Sequence, residues 1–144
     1  MTDSKTFVVG VVSSPHPHAP MHIMTLDTLQ EVKDIHLCGI EGEDLEAMKS
    51  QSHKVRSYST ELNDLLKLSD LDALLVSVRN DLCTGVLSAA VEAGIPVLFE
   101  KPGATQASNL REISDKAKSK KITMGAMYTN RWSPQIKDVR RIIK

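Results

Sequence analysis

Cysteine is scarce in this sequence: Cys38 and Cys83 are the two present, and no C-x-x-C pair occurs. That excludes a disulfide-built scaffold, a thioredoxin-like redox pair and a zinc knuckle. An excess of charge of either sign is also missing. Lysine plus arginine and aspartate plus glutamate number 18 each, for a formal net charge of zero. Such a balance gives no electrostatic reason to expect nucleic acid or an anionic membrane as partner. No apolar run nears the roughly 18 residues that a membrane span needs. The opening MTDSKTFVVGVVSS lacks the positively charged start and long apolar stretch of a signal peptide. Internal repeats and low-complexity tracts are lacking too. Together these absences predict a cytoplasmic protein with reduced, unpaired thiols.

What is present is alternation. The 144 residues are 41% hydrophobic and 25% charged, which suits one domain, 1–144, with a sizeable core. Residues 6–12 (TFVVGVV) read as a buried strand, with Gly10 inside it, followed by a loop over 13–19. A helix is predicted from Pro20 to Val32, with Met21, Met24, Leu26, Leu29 and Val32 on one face and Pro20 in its first turn. A strand over 35–41 follows, then a short helix over 44–48 and an edge strand over 54–58. Ser59 or Thr60 is expected to cap a helix carrying Leu62, Leu65 and Leu66. Residues 71–78 form the next strand. Leu82, Val86, Leu87, Ala90 and Val91 recur at helical spacing, and Gly94 ends that helix. A strand over 95–99 precedes a helix capped by Thr105, with Ala107, Leu110, Ile113 and Ala117 on one face. A strand over 121–127 precedes a helix opened by Ser133 and Pro134, with Ile136, Val139, Ile142 and Ile143 as its apolar face.

Nearly continuous apolar strands alternating with helices predict a three-layer α/β fold. The sheet is Rossmann-like and parallel, with helices on both faces. Right-handed crossovers place all strand C-termini on one edge, where ligands bind near the switch in strand order. The loops able to reach that edge are 13–19, 41–43, 79–83, 100–104 and 128–132. The last helix either docks on the domain or leads into a second one.

Two groups of residues then carry a resemblance. Glu100-Lys101-Pro102 stands at the end of a strand, six residues after Gly94, within AAVEAGIPVLFEKPGATQ. Asn130-Arg131-Trp132-Ser133-Pro134 follows the final strand, and Leu71-Asp72-Ala73 opens the fourth. In this order and spacing the chain resembles the N-terminal domain of the GFO/IDH/MocA family of NAD(P)-dependent sugar and polyol oxidoreductases, over nearly its whole length. The resemblance implies a nicotinamide dinucleotide as partner and a small hydroxylated substrate. It also implies a second α/β domain, absent here, that supplies most of the substrate pocket and the usual oligomer contact. Self-association stays open. On this reading the isolated chain binds a cofactor and turns over nothing. Lys101 would be catalytic, beside the nicotinamide and the reacting oxygen, where an ammonium orients that oxygen and stabilises charge developing on it. Pro102 would aim it by fixing one backbone dihedral. Glu100 would orient the lysine or meet the nicotinamide ribose. From the residues alone, a surface Glu-Lys pair before a turn fits equally.

The phosphate loop departs from the family's pattern. A G-x-G-x-x-G fingerprint would fall on Ser13, Pro15 and His18, and none of these is glycine. Pro15 and Pro17 have no amide hydrogen for a phosphate. Ser13 and Ser14 hydroxyls, His16 or His18 rings and the amides of the following helix are the expected replacements. A polar surface loop without ligand is the competing reading. His16, His18 and His22 also raise a metal alternative, but no cysteine or carboxylate stands close in sequence apart from Asp27, so no metal is expected. Glu41 lies 23 residues after His18, near the distance at which an acid meets the adenosine ribose. With Glu43 and Asp44 beside it and no arginine nearby in sequence, NAD is favoured over NADP. An acidic helix start explains Glu41 equally. Where the family often carries Thr-Pro-Asn and then His, this chain has Arg79, Asn80 and, at the histidine position, Cys83. Asn80 would meet the cofactor ribose or nicotinamide, and Arg79 the pyrophosphate. Arg131 and Trp132 either line the exit toward the second domain or cap and pack the last helix. The function expected is hydride transfer between a nicotinamide cofactor and a sugar-like or polyol substrate. The alternative is a non-enzymatic nucleotide-binding or interaction domain.

Overall fold

A computed structural model describes residues 5–143. Six strands form one parallel sheet: β1 (Phe7–Ser13), β2 (Val32–Gly39), β3 (Val55–Ser59), β4 (Ala73–Ser77), β5 (Val97–Glu100) and β6 (Met124–Met127). Their spatial order is β3-β2-β1-β4-β5-β6. The chain thus steps outward on one side of β1, returns to β4 on the other, and leaves a crevice at the reversal between β1 and β4. The helices are α1 (Ala19–Thr28), α2 (Leu45–Lys49), α3 (Leu62–Leu66), α4 (Asn80–Glu92), α5 (Ala107–Lys120) and α6 (Pro134–Ile142), with a 3-10 turn at Thr129–Trp132. The arrangement is a three-layer Rossmann-like α/β fold.

The period of two along the strands sorts the core into two layers. In β1, Val9 and Val11 face the layer that holds Ala19, Ile23 and Leu26 of α1. Val12 faces the layer with Val86, Leu87, Ala90 and Val91 of α4 and Ile113 and Ala117 of α5. In β4, Leu75 joins the first layer, while Leu74 and Val76 join the second. Val11, Ile23, Ile35 and Leu87 have no exposed surface, and each such side chain contributes roughly 1.5–3 kcal/mol on leaving water. Gly10 lies inside β1, where a Cβ would come within 2.6 Å of Leu74 Cδ2. Its lack of a side chain makes room for the leucine.

Several boundaries differ from the sequence reading. The first helix ends at Thr28, and Val32 belongs to β2, paired with Phe7. Leu29 is extended at φ −80° and ψ 119°, so the helical spacing of Leu29 and Val32 is fortuitous. Ser59 and Thr60 do not cap α3. Glu61 takes the cap position, and the Ser59 hydroxyl instead accepts its backbone N–H at 2.9 Å. Thr105 does not cap α5 either, since Gln106 occupies that place without a side-chain bond. Gly94 follows α4 at φ +79°, as expected of a helix stop. Ser133 caps α6, its hydroxyl accepting from Ile136 N. The apolar face of α6 is uncovered: Ile142 and Ile143 are 82% and 77% exposed. Among the described residues no helix is long and apolar enough to cross a membrane.

Candidate functional site

The C-terminal edge of the sheet is tied together by side chains from the loops after β1, β2, β4 and β5. The Ser13 hydroxyl, at the end of β1, donates to Glu43 beyond β2. The Ser14 hydroxyl accepts from Arg79 N at 2.8 Å, joining the β1 loop to the start of α4. His16 Nδ1 lies 3.1 Å from the Ser77 hydroxyl at the end of β4. Arg79 Nη1 lies 3.7 Å from Glu41 Oε2, joining the β4 and β2 loops. His18 and His22 both reach Glu100 at the end of β5. The parallel sheet makes this convergence unavoidable, because every strand delivers its next loop to the same edge.

Within the first loop the polar groups serve the loop itself. Ser13 and Ser14 are buried, and their hydroxyls bond inside the fold. Ser14 N donates to Ser77 O and His18 N to His16 Nδ1, so neither amide is aimed at the crevice. His16 Nδ1 accepts from the His18 amide, which leaves the ring proton on Nε2. Burial, and then the neighbouring His18, hold the His16 pKa below its ordinary 6.5. The ring is therefore a neutral N–H donor at neutral pH. The loop thus presents side chains and the start of α1 to the crevice, whereas a glycine loop would present backbone amides.

Glu100 is 4% exposed, and its Oε1 receives His18 Nδ1 at 3.0 Å and His22 Nε2 at 2.9 Å. Burial works against its charge, but the bonds from His18 and His22 outweigh it and hold the carboxyl below its usual range. Sequence reading placed Glu100 against the lysine or a ribose. Its recorded partners are the two histidines, and His22 enters the site from one turn inside α1. Asp27, the carboxylate closest in sequence to these histidines, instead bonds the Ser52 hydroxyl at 2.5 Å and His53 at 3.1 Å.

Lys101 follows Glu100 and is exposed, with a cis peptide bond to Pro102. It lines an open groove of about 340 Å³ together with Met127, Tyr128, Asn130, Arg131, Ile136 and Arg140. The Arg131 guanidinium lies 5.9 Å from the Trp132 ring centre. Trp132 is 68% exposed, so it packs no core beneath α6. On the other flank, Glu41 is exposed and held at φ 55°, followed by Gly42 at φ 80°. The sequence offered Glu41 no arginine within its own loop, yet Arg79 stands beside it in space. That arginine is shared with Asp81, through Nε at 3.1 Å and Nη2 at 2.7 Å. Asn80 is exposed as the first residue of α4. Ser77, Glu43 and His22 are the site residues that sequence reasoning left out of its candidate cofactor set. Only topology brings them to the rim, and no local motif marks them.

Comparison with known proteins agrees with this architecture. Residues 4–128 match the family model for GFO/IDH/MocA, described as an oxidoreductase family with an NAD-binding Rossmann fold. The rhizopine catabolism protein MocA of Rhizobium meliloti is 24% identical over 90 residues, covering 62% of this chain and 28% of that protein. An inositol 2-dehydrogenase of Corynebacterium glutamicum is 29% identical over 86 residues, covering 59% and 26%. Among solved structures, the biliverdin reductase of Synechocystis sp. PCC 6803, in complex with biliverdin and NADP+, superposes with a TM-score of 0.82 at 17% identity, over 94% of this chain and 42% of that one. The apo scyllo-inositol dehydrogenase of Lactobacillus casei does so with a TM-score of 0.81 at 15% identity, over 97% and 41%. At such identities the structures speak for the fold alone. The chain spans about a quarter of the length of the curated relatives it matches, at 28% and 26%. With its strand order, its crevice and the match across 4–128, this chain belongs to the GFO/IDH/MocA oxidoreductase family and comprises its NAD-binding Rossmann fold.

Proposed function

We propose that the chain binds a nicotinamide dinucleotide across the crevice between β1 and β4, as the cofactor half of an oxidoreductase acting on a sugar-like or polyol substrate. The observation that carries this reading is the position of Lys101. It leaves β5 at the rim, one residue from the carboxylate that contacts the first loop, and its side chain lines the groove beyond. Bound nicotinamide supplies the hydride acceptor or donor. Lys101 holds the substrate oxygen, stabilises negative charge as it develops there and passes its proton. Asn80 and Arg131 flank the nicotinamide end. The His16 ring N–H and the N-terminus of α1 would hold the pyrophosphate, with Arg79 adding charge. Ser13, Ser14 and Glu100 hold these groups in place from below. The inositol 2-dehydrogenase among the similar proteins supports a polyhydroxylated substrate. The groove beside Lys101 and the uncovered face of α6 support a further domain that closes over the substrate, so turnover belongs to the protein that has both.

Glu41, two residues beyond β2, favours NAD, because its carboxylate accepts from ribose hydroxyls; Arg79, 3.7 Å away, offsets part of its repulsion of a 2′-phosphate. Titrating the chain with NADH and with NADPH, followed by nicotinamide fluorescence, tests both statements. NADH is expected to bind the more tightly, and Glu41→Ser is expected to narrow the difference by about tenfold. Lys101→Ala should leave NADH binding within about threefold while abolishing turnover in the complete enzyme. Silence toward both nucleotides would overturn the cofactor reading, and tighter NADPH binding would overturn the preference.

A further inference from the structure

We propose that His18, His22 and Glu100 form a binding site for one divalent transition-metal ion of the zinc class. His18 Nδ1, His22 Nε2 and a Glu100 oxygen lie within 4.8 Å of one another. His18 caps α1 and His22 follows one turn later, so both rings project from the same side of the helix end. Glu100 comes from the end of β5, on the far side of the crevice in sequence but adjacent in space. The expectation of no metal rested on the lack of a cysteine or carboxylate, Asp27 apart, close in sequence to the histidines. The fold supplies that ligand 78 residues from His22.

Three features favour an ion over protons alone. Glu100 is buried, yet among the described residues it makes no ion pair with lysine or arginine. A buried carboxylate requires compensating charge, and a divalent ion shared with the two histidines would provide it. The spacing is also suitable. Ligands held at about 2.0–2.1 Å around a tetrahedral zinc stand roughly 3.3 Å apart; the two Glu100 contacts, at 2.9 and 3.0 Å, open by a few tenths of an ångström to admit the ion, and the two histidine nitrogens, within 4.8 Å of each other, adjust by rotation of the more exposed His18 ring. Finally, two histidines and one carboxylate are a ligand set that leaves coordination positions free. His18 is 42% exposed at its side chain, so those positions open toward solvent at the rim. There an oxygen of a bound anion or alcohol completes the shell. The His16 ring, 5.1 Å from that of His18 and fixed by Ser77, packs against the first ligand and limits its rotation.

The test is a titration of the chelator-stripped chain with Zn2+ and with Co2+, free of dinucleotide, so that its outcome is independent of the cofactor reading. Calorimetry should show one ion per chain, and bound Co2+ should develop the visible absorption of a tetrahedral or five-coordinate nitrogen–oxygen site. His18→Ala and Glu100→Gln should each weaken binding at least tenfold. His53→Ala, at the separate pair with Asp27, should leave it unchanged. Zn2+ should raise the melting temperature of the unaltered chain and not that of His18→Ala, a half-buried position, whose circular dichroism should match that of the unaltered chain. Absence of saturable binding in the micromolar range would overturn the proposal. So would binding that survives in His18→Ala and Glu100→Gln, or that falls equally in His53→Ala.

Discussion

At the scale of single residues, the site is built from groups whose neighbours set their chemistry. Ser13, which replaces the first glycine of a phosphate loop, and Ser14 after it are buried and joined to Glu43 and Arg79 respectively. Their removal is therefore expected to harm folding before it harms binding. Ser14→Ala leaves Arg79 N without its acceptor and should cost about 1–3 kcal/mol in denaturant unfolding. The thiols present the opposite case. Burial pushes both Cys38 and Cys83 up to about 11. The thiolate is the reactive form, and at pH 8 it is about one part in a thousand. Neither cysteine should react with iodoacetamide in the native chain at pH 8, and both should react once urea unfolds it; rapid native labelling of Cys83 would contradict its burial at the start of α4.

At the scale of elements, buried runs and repeating periods were legible as strands and helices, while boundaries were legible in part: Gly94 and Ser133 stand where a helix stop and a cap are expected, and other ends differ. All six strands and every helix were anticipated, because apolar β-branched runs and helical spacing report burial directly. The helix α1 was drawn four residues too long, since Leu29 and Val32 kept its spacing while the sheet recruited Val32 to β2. Thr105 and Ser59 had the right chemistry for caps and the wrong backbone position. In the site, the place of Lys101 at the rim, directly after β5, was legible from its position in the sequence. The partnership of Glu100 with His18 and His22 was not, because it depends on which loops a parallel sheet brings together. The element scale also yields predictions about α4 and α6. Gly94→Ala places a side chain at φ +79° with open space around it, so its cost is conformational, about 1 kcal/mol in global stability. Ser133→Ala removes the cap of α6, whose apolar face is exposed. It should lower hydrogen-exchange protection over 136–139 while leaving the global unfolding midpoint unchanged. A shift of the global midpoint would mean that α6 packs on the core.

At the scale of the whole molecule, net charge is zero and stability rests on the two apolar layers, with carboxylates adding a pH dependence at the acid end. Hydrogen bonds from Ser52, Arg56 and Arg79 hold Asp27, Asp34 and Asp81 respectively below the ordinary value of 3.8. A carboxyl depressed in the folded state stabilises it above the unfolded pKa and loses that contribution as pH falls through the folded value. Urea midpoints should therefore be flat with respect to these groups between pH 5 and pH 7 and decline below about pH 4. A decline beginning near pH 6 would point to the histidines instead. The central claim concerns one edge of the sheet, where loops after β1, β2, β4 and β5 meet around a dinucleotide. Amide chemical shifts of the labelled chain, recorded with and without NADH, test it most directly. The account predicts shifts confined to residues 14–22, 41–43, 79–83, 100–104 and 128–132. Shifts at the opposite ends of the strands, around 30–32, 70–72 and 94–96, or no shifts at saturating nucleotide, would contradict it.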